Sequence, residues 1–179
     1  IPDEGMHLLQ VQTPGGLMSN DFIFHVVADA EPADAPTLGE LVQRRDWGRL
    51  IGDWVDVGTR GEFRLSLNWK IKNQLLELVT MDQNGPSVAF IRVDQGSGRI
   101  LHTGTNHSGV SSTGYWDFAV EDGPKMTGSF LTSTGATDQL NMQLVPTSLD
   151  SLVFRVGVGQ LSEIPMIRKQ VARNTVGQL

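Results

Sequence analysis

From Gly52 onward the sequence has a period of two, cut into strand-length runs by turn signals that recur about every 10–12 residues. The clearest run is Phe63-Arg64-Leu65-Ser66-Leu67-Asn68-Trp69-Lys70-Ile71, in which apolar and polar residues alternate. Similar runs lie near 53–58, 62–71, 74–82, 87–94, 98–105, 112–121, 125–133, 137–145, 151–158 and 164–169. The breaks between them carry Thr59-Arg60-Gly61, Lys72-Asn73, Asn84-Gly85, Gln95-Gly96-Ser97-Gly98 and Asp122-Gly123, of which Asn84-Gly85 and Asp122-Gly123 are dipeptides that accept positive φ in tight hairpin turns. Connections this short leave no room for crossover helices, so successive strands must pair antiparallel.

A meander of this length has two open edges, and closing it on itself removes both. The expected fold class is therefore all-β, an antiparallel up-and-down β-barrel of about eight to ten strands. A two-sheet sandwich gives the same alternation and is the second choice. In the barrel, Phe63, Leu65, Leu67, Trp69 and Ile71 face inward, and the polar residues between them face water. A barrel of this size is only partly filled by its own side chains and often keeps a ligand cavity.

Three segments precede and follow that repeat. Residues 1–36 hold two apolar runs, "MHLLQVQT" and "DFIFHVVA", around the breaker Pro14-Gly15-Gly16. They read as an extended arm or strand pair, followed by a Pro/Ala/Asp linker over 29–36. Exchange of these strands within a homodimer through residues 1–30 is one use for them. A helix is expected over 37–50, opened by a Thr37/Glu40 capping box and carrying Leu38, Leu41, Val42, Trp47 and Leu50 on one stripe. Arg44, Arg45 and Arg49 fall outside the stripe, on a solvated face. The barrel domain spans 37–171, and 172–179 is a tail.

Composition narrows the partners. Net charge is −6, and the basic residues are scattered, which argues against a nucleic-acid surface. No apolar run approaches the ~20 residues of a membrane span. Cysteine is absent, so neither disulfides nor thiolate chemistry is open to the chain. The first residue is Ile1 rather than Met. That start is expected after removal of a leader or after trimming, and it leaves the compartment undefined.

Gly52-Asp53-Trp54, directly after the helix and opening the first barrel strand, resembles the Gly-x-Trp start of lipocalins and related calycins. The string Gly52-Asp53-Trp54-Val55-Asp56-Val57-Gly58 is similar to the opening of nitrobindin-like ten-stranded barrels, with Asp56 in place of their middle glycine. "LIGDWV" and the closing "PMIRK" resemble bacterial lipocalin-like domains of unknown function. The resemblance covers about residues 50–170. It implies a basic side chain from a late strand over the motif tryptophan, with Arg168 the first candidate and Arg155 the second. Gly52, Trp54 and Arg168 then form a structural motif at the barrel base. It also implies, for nitrobindins, haem held by a histidine near the C-terminus, whereas the histidines here are His7, His25, His102 and His107. No cofactor is therefore expected.

No catalytic motif stands out. His102 shares a strand face with Ile100 and reads as a wall residue or polar anchor, and His107 as a turn residue. No carboxylates stand at metal-like spacing from either, so no metal site is expected. Asp117 and Glu121 share the face of Tyr115, opposite Trp116, Phe118 and Val120, and are expected in solvent. Ser108, Ser111 and Ser112 lie in a Gly/Ser-rich connection without a nucleophile-elbow pattern. The glycine-rich "DQGSGR" joins two strands and lacks the helix and lysine of a phosphate loop.

What remains is an aromatic-rich interior. The expected activity is binding of a small hydrophobic molecule, lined by Phe63, Leu65, Leu67, Trp69, Phe90, Trp116 and Phe118, with His102 as polar anchor. Calycin-like barrels that act as natural-product cyclases or isomerases supply an enzymatic alternative, which would shape an apolar substrate. A structural or oligomerisation module is the third.

Overall fold

Ten strands follow one another from Gly52 to Arg168, each hydrogen-bonded to the next, and the last pairs with the first. The structure is a computed structural model that describes residues 5–9, 15–16, 22–26, 36–58, 61–131 and 135–169. The strands are β3 (Gly52–Asp56), β4 (Arg64–Ile71), β5 (Leu75–Asp82), β6 (Gly85–Val93), β7 (Ile100–Asn106), β8 (Ser111–Asp117), β9 (Lys125–Leu131), β10 (Thr137–Pro146), β11 (Ser151–Gly157) and β12 (Ser162–Arg168). All pairs are antiparallel, so the barrel is a closed up-and-down meander. Closure rests on the short β12–β3 ladder, where Arg168 stands opposite Trp54.

The chain divides into two compact units, 36–94 with 98–179, and 1–35 with 95–97. In the second of these, β1 (Gly5–Leu9) and β2 (Phe22–Val26) form an antiparallel pair, as the two apolar runs predict. The linker over 29–35 and the tail over 172–179 lie outside the described residues.

The capping box forms as its spacing predicts. Glu40 N donates to Thr37 Oγ1, and Thr37 N donates to Glu40 Oε2 at 2.7 Å. That backbone hydrogen bond holds the Glu40 carboxyl below the usual carboxylate range. The helix is shorter than expected. α1 covers Leu38–Gln43, and a separate 3-10 turn covers Trp47–Leu50. Asp46, at φ 57°, breaks the two apart. After the break Trp47 is buried, and its Nε1 donates to Phe118 O at 2.9 Å.

Alternation on β4 holds up to Trp69 and then fails. The β4–β5 register shifts between Trp69 and Ile71, a bulge that puts two residues opposite one. Ile71 is swung outward and is 53 % exposed, against the inward position expected from period two. Asn73, at φ 64°, completes the turn, and its carbonyl accepts from Gly39 N of the helix. This fixes α1 at the end of the barrel where β4 meets β5.

Candidate functional site

The two ends of the barrel differ. At the helix end, Val42, Trp47 and Leu50 plug the interior against Leu67, Leu76, Ile91, Trp116, Phe118 and Leu144. The space left there is about 10 Å³, less than a water needs to sit comfortably. Protein interiors leave few voids larger than a water molecule, and the space inside the plug is below that size.

The Gly-x-Trp motif locks the plug. Trp54 is buried, and its Nε1 donates to Leu50 O at 2.9 Å. The Arg168 guanidinium covers the Trp54 ring at 4.3 Å, as the lipocalin resemblance implies. Its Nη1 donates to Ile51 O and its Nη2 to Arg49 O, satisfying carbonyls at the end of the 3-10 turn. Arg155, the second candidate, instead reaches Glu163 and Gln143. Gly52 has φ +136°, and a Cβ there would meet Arg168 Nη1 at 2.6 Å. The motif glycine is thus required twice, by its backbone and by the arginine. Asp56, where nitrobindin-like barrels have glycine, is buried and accepts from Gly58 N at 2.7 Å, which shapes the turn after β3.

The opposite end is hollow. A cavity of about 390 Å³ lies at the end of the barrel where β5 turns into β6 and β7 into β8. Its wall is mainly apolar: Phe63, Leu78, Ala89, Phe130, Leu140, Met142, Phe154 and Val156. Phe63 and Phe154 stack on each other in that wall, with centroids 5.8 Å apart.

Several polar groups at the rim are committed to turns. The Asp82 carboxylate accepts from Asn84 N and Gly85 N, which makes Gln83-Asn84 the loop and Gly85 the first residue of β6. Asn106 Oδ1 likewise accepts from Ser108 N and Val110 N. Deeper in, His102 and Ser112 face the cavity from β7 and β8. Trp116 Nε1 donates to His102 Nδ1 at 3.3 Å, and His102 Nε2 lies 3.2 Å from Ser112 Oγ. His102 is 1 % exposed, and burial alone lowers its pKa from 6.5 to about 4. It is neutral at pH 7.

Of the residues expected to line a ligand site, Phe63 and His102 border this cavity. Leu65 is core, and Leu67, Trp116 and Phe118 belong to the plug. Trp69 is half-buried against the same core. Phe90 is 39 % exposed on the outer face, because Ala89, Ile91 and Val93 take the inward positions of β6. Tyr115 and Asp117 are exposed, as the face of β8 predicts. His107 is a turn residue whose Nε2 lies 2.8 Å from Ser108 Oγ.

Ser112 is the residue that the sequence hides, because its Gly/Ser-rich neighbourhood reads as a connection. It is paired with Gly104 inside the β7–β8 ladder. Its signal was the spacing Ser112-Gly114-Trp116, which puts it on the same face as the inward tryptophan.

Iron ligation by His102 does not fit this arrangement. The Nδ1 lone pair is used by Trp116, which leaves the proton on Nε2, so neither nitrogen offers a lone pair. Among the described residues no group of three His, Cys, Asp or Glu side chains converges as a metal site. No helix among them is long and apolar enough to cross a membrane. Comparison with protein-family models and with curated proteins finds no match for this chain.

Proposed function

We propose that the barrel binds a small, largely apolar molecule in the cavity at the end opposite the helix. The observation that carries this reading is the cavity itself: about 390 Å³, walled mainly by apolar and aromatic side chains, with the buried His102 and the half-buried Ser112 paired at its inner side. Ligand sites typically occupy ~300–1,000 Å³ and combine an apolar wall with a few placed polar groups. Removing an apolar guest from water contributes about 25 cal/mol per Å². The Gly52–Trp54–Arg168 lock supports kinship with lipocalin-like calycins.

The test is calorimetric titration of the full chain with naphthalene-sized probes. Saturable binding at one site is expected. Leu140→Trp, which places an indole across the cavity wall, is expected to weaken it at least tenfold while the melting transition stays cooperative. Failure to bind any such probe, or equal affinity in Leu140→Trp, would remove the reading.

A further inference from the structure

The hydrogen bonds around His102 have a direction that follows from donor and acceptor chemistry. An indole Nε1–H only donates. Its contact with His102 Nδ1 therefore requires a lone pair on Nδ1, and the neutral ring carries its proton on Nε2. Nε2–H then donates to Ser112 Oγ, 3.2 Å away. With an oxygen lone pair so engaged, the serine hydrogen remains to be donated elsewhere. Among the described residues, His102 is the one hydrogen-bond partner of the Ser112 hydroxyl. Ser112 itself lines the cavity.

The space beside that oxygen is kept open by the strand next to it. Gly104 faces Ser112 across the ladder, and a Cβ at Gly104 would come within 2.9 Å of Ser112 Oγ and 2.8 Å of Ala89 Cβ. The glycine leaves the hydroxyl accessible from the cavity.

Resting on the cavity-binding reading, we propose that Trp116, His102 and Ser112 form a one-way hydrogen-bond relay that presents the Ser112 hydroxyl as a donor, and that the ligand carries a neutral carbonyl oxygen to receive it. The relay contains no cation. A carboxylate taken into this apolar wall would lose its hydration without a counter-charge, so a ketone, ester or amide oxygen suits the site better than an acid. Ser112 is the contacting group, while His102 and Trp116 position it.

The experiment compares three probes of matched shape on the full chain: acetylnaphthalene, ethylnaphthalene and naphthoate. The ketone is expected to bind about fivefold more tightly than the hydrocarbon, the size of one net hydrogen bond, and more tightly than the acid. Ser112→Ala is expected to bring the ketone-to-hydrocarbon ratio close to one. The infrared carbonyl stretch of bound acetylnaphthalene should lie at lower frequency in the wild type than in Ser112→Ala. In the ligand-free protein, nitrogen NMR should find the His102 proton on Nε2.

Equal binding of ketone and hydrocarbon, a preference for naphthoate, or a carbonyl stretch indifferent to Ser112→Ala would each overturn the proposal. A proton on Nδ1 would overturn it without any ligand. Binding of none of the three probes would instead sink the cavity-binding reading, and the carbonyl assignment with it.

Discussion

Arg168 lies over the indole of Trp54 with its guanidinium carbon 4.3 Å from the ring centroid, joining the last strand of the barrel to the first. The same side chain satisfies carbonyls of Arg49 and Ile51 and reaches Leu149 O. Its ion pair with Asp150, which is 80 % exposed, adds little in water. The weight is in the stacking and in the carbonyl contacts. Arg168→Ala is expected to cost about 2–4 kcal/mol, or roughly 4–16 °C in melting temperature for a chain of this size. Arg168→Lys retains the charge but not the planar fork, and should recover less than half of that loss. Urea melts of the two variants check this, and a loss under about 0.5 kcal/mol for Arg168→Ala would refute the lock.

Gly52 is coupled to that arginine by distance. In the wild type, Gly52→Ala meets both the strain of φ +136° and a 2.6 Å approach of Arg168 Nη1. The backbone part costs about 1–3 kcal/mol. The approach adds to it only while the guanidinium is present. Gly52→Ala is therefore expected to cost less in an Arg168→Ala background than alone, an interaction energy of about 0.5–3 kcal/mol in a double-mutant cycle. Simple additivity would show that the arginine does not explain the glycine.

Burial of His102 predicts a pH dependence of stability. Its folded-state pKa of about 4 lies below the ordinary value of 6.5. Between those values the unfolded chain binds a proton that the folded chain refuses, so stability rises with pH across this window. The contribution is complete above pH 6.5, shrinks as pH falls, and has gone below about pH 4. Its size is at most roughly 3 kcal/mol. His102→Gln should flatten this part of the curve. A wild-type profile that is flat from pH 6.5 to 4, or one unchanged by His102→Gln, would contradict a buried neutral histidine.

The barrel was legible because period two, hairpin turns and strand spacing are local properties that sum to one topology. Height along the barrel axis was not. Alternation says that Leu67, Trp116 and Phe118 point inward, but only the cross-strand register and the docking of α1 say that they stand at the plugged end. Phe90 was misplaced for another reason. In "SVAFIRV" the face of Val88 and Phe90 competes with that of Ala89, Ile91 and Val93, and a large ring on one face does not outweigh three apolar positions on the other. The inward face of β6 is the one with three apolar residues, one of them the small Ala89 beside the cavity.

That placement gives the last prediction. Phe154 is 1 % exposed, stacks on Phe63 and walls the cavity, whereas Phe90 stands 39 % exposed on the outside. Truncating a buried aromatic removes its transfer free energy and leaves unfilled space, so Phe154→Ala should cost about 3–5 kcal/mol. It should also change acetylnaphthalene affinity, because one wall of the site is gone. Phe90→Ala removes a ring that water already reaches, and is expected to cost less than about 1 kcal/mol. It should leave probe binding within a factor of about two, since Phe90 faces away from the cavity. The comparison needs only thermal melts and one titration per variant. Similar losses from the two substitutions would mean that β6 is turned the other way, with Phe90 inside the barrel and the cavity correspondingly filled.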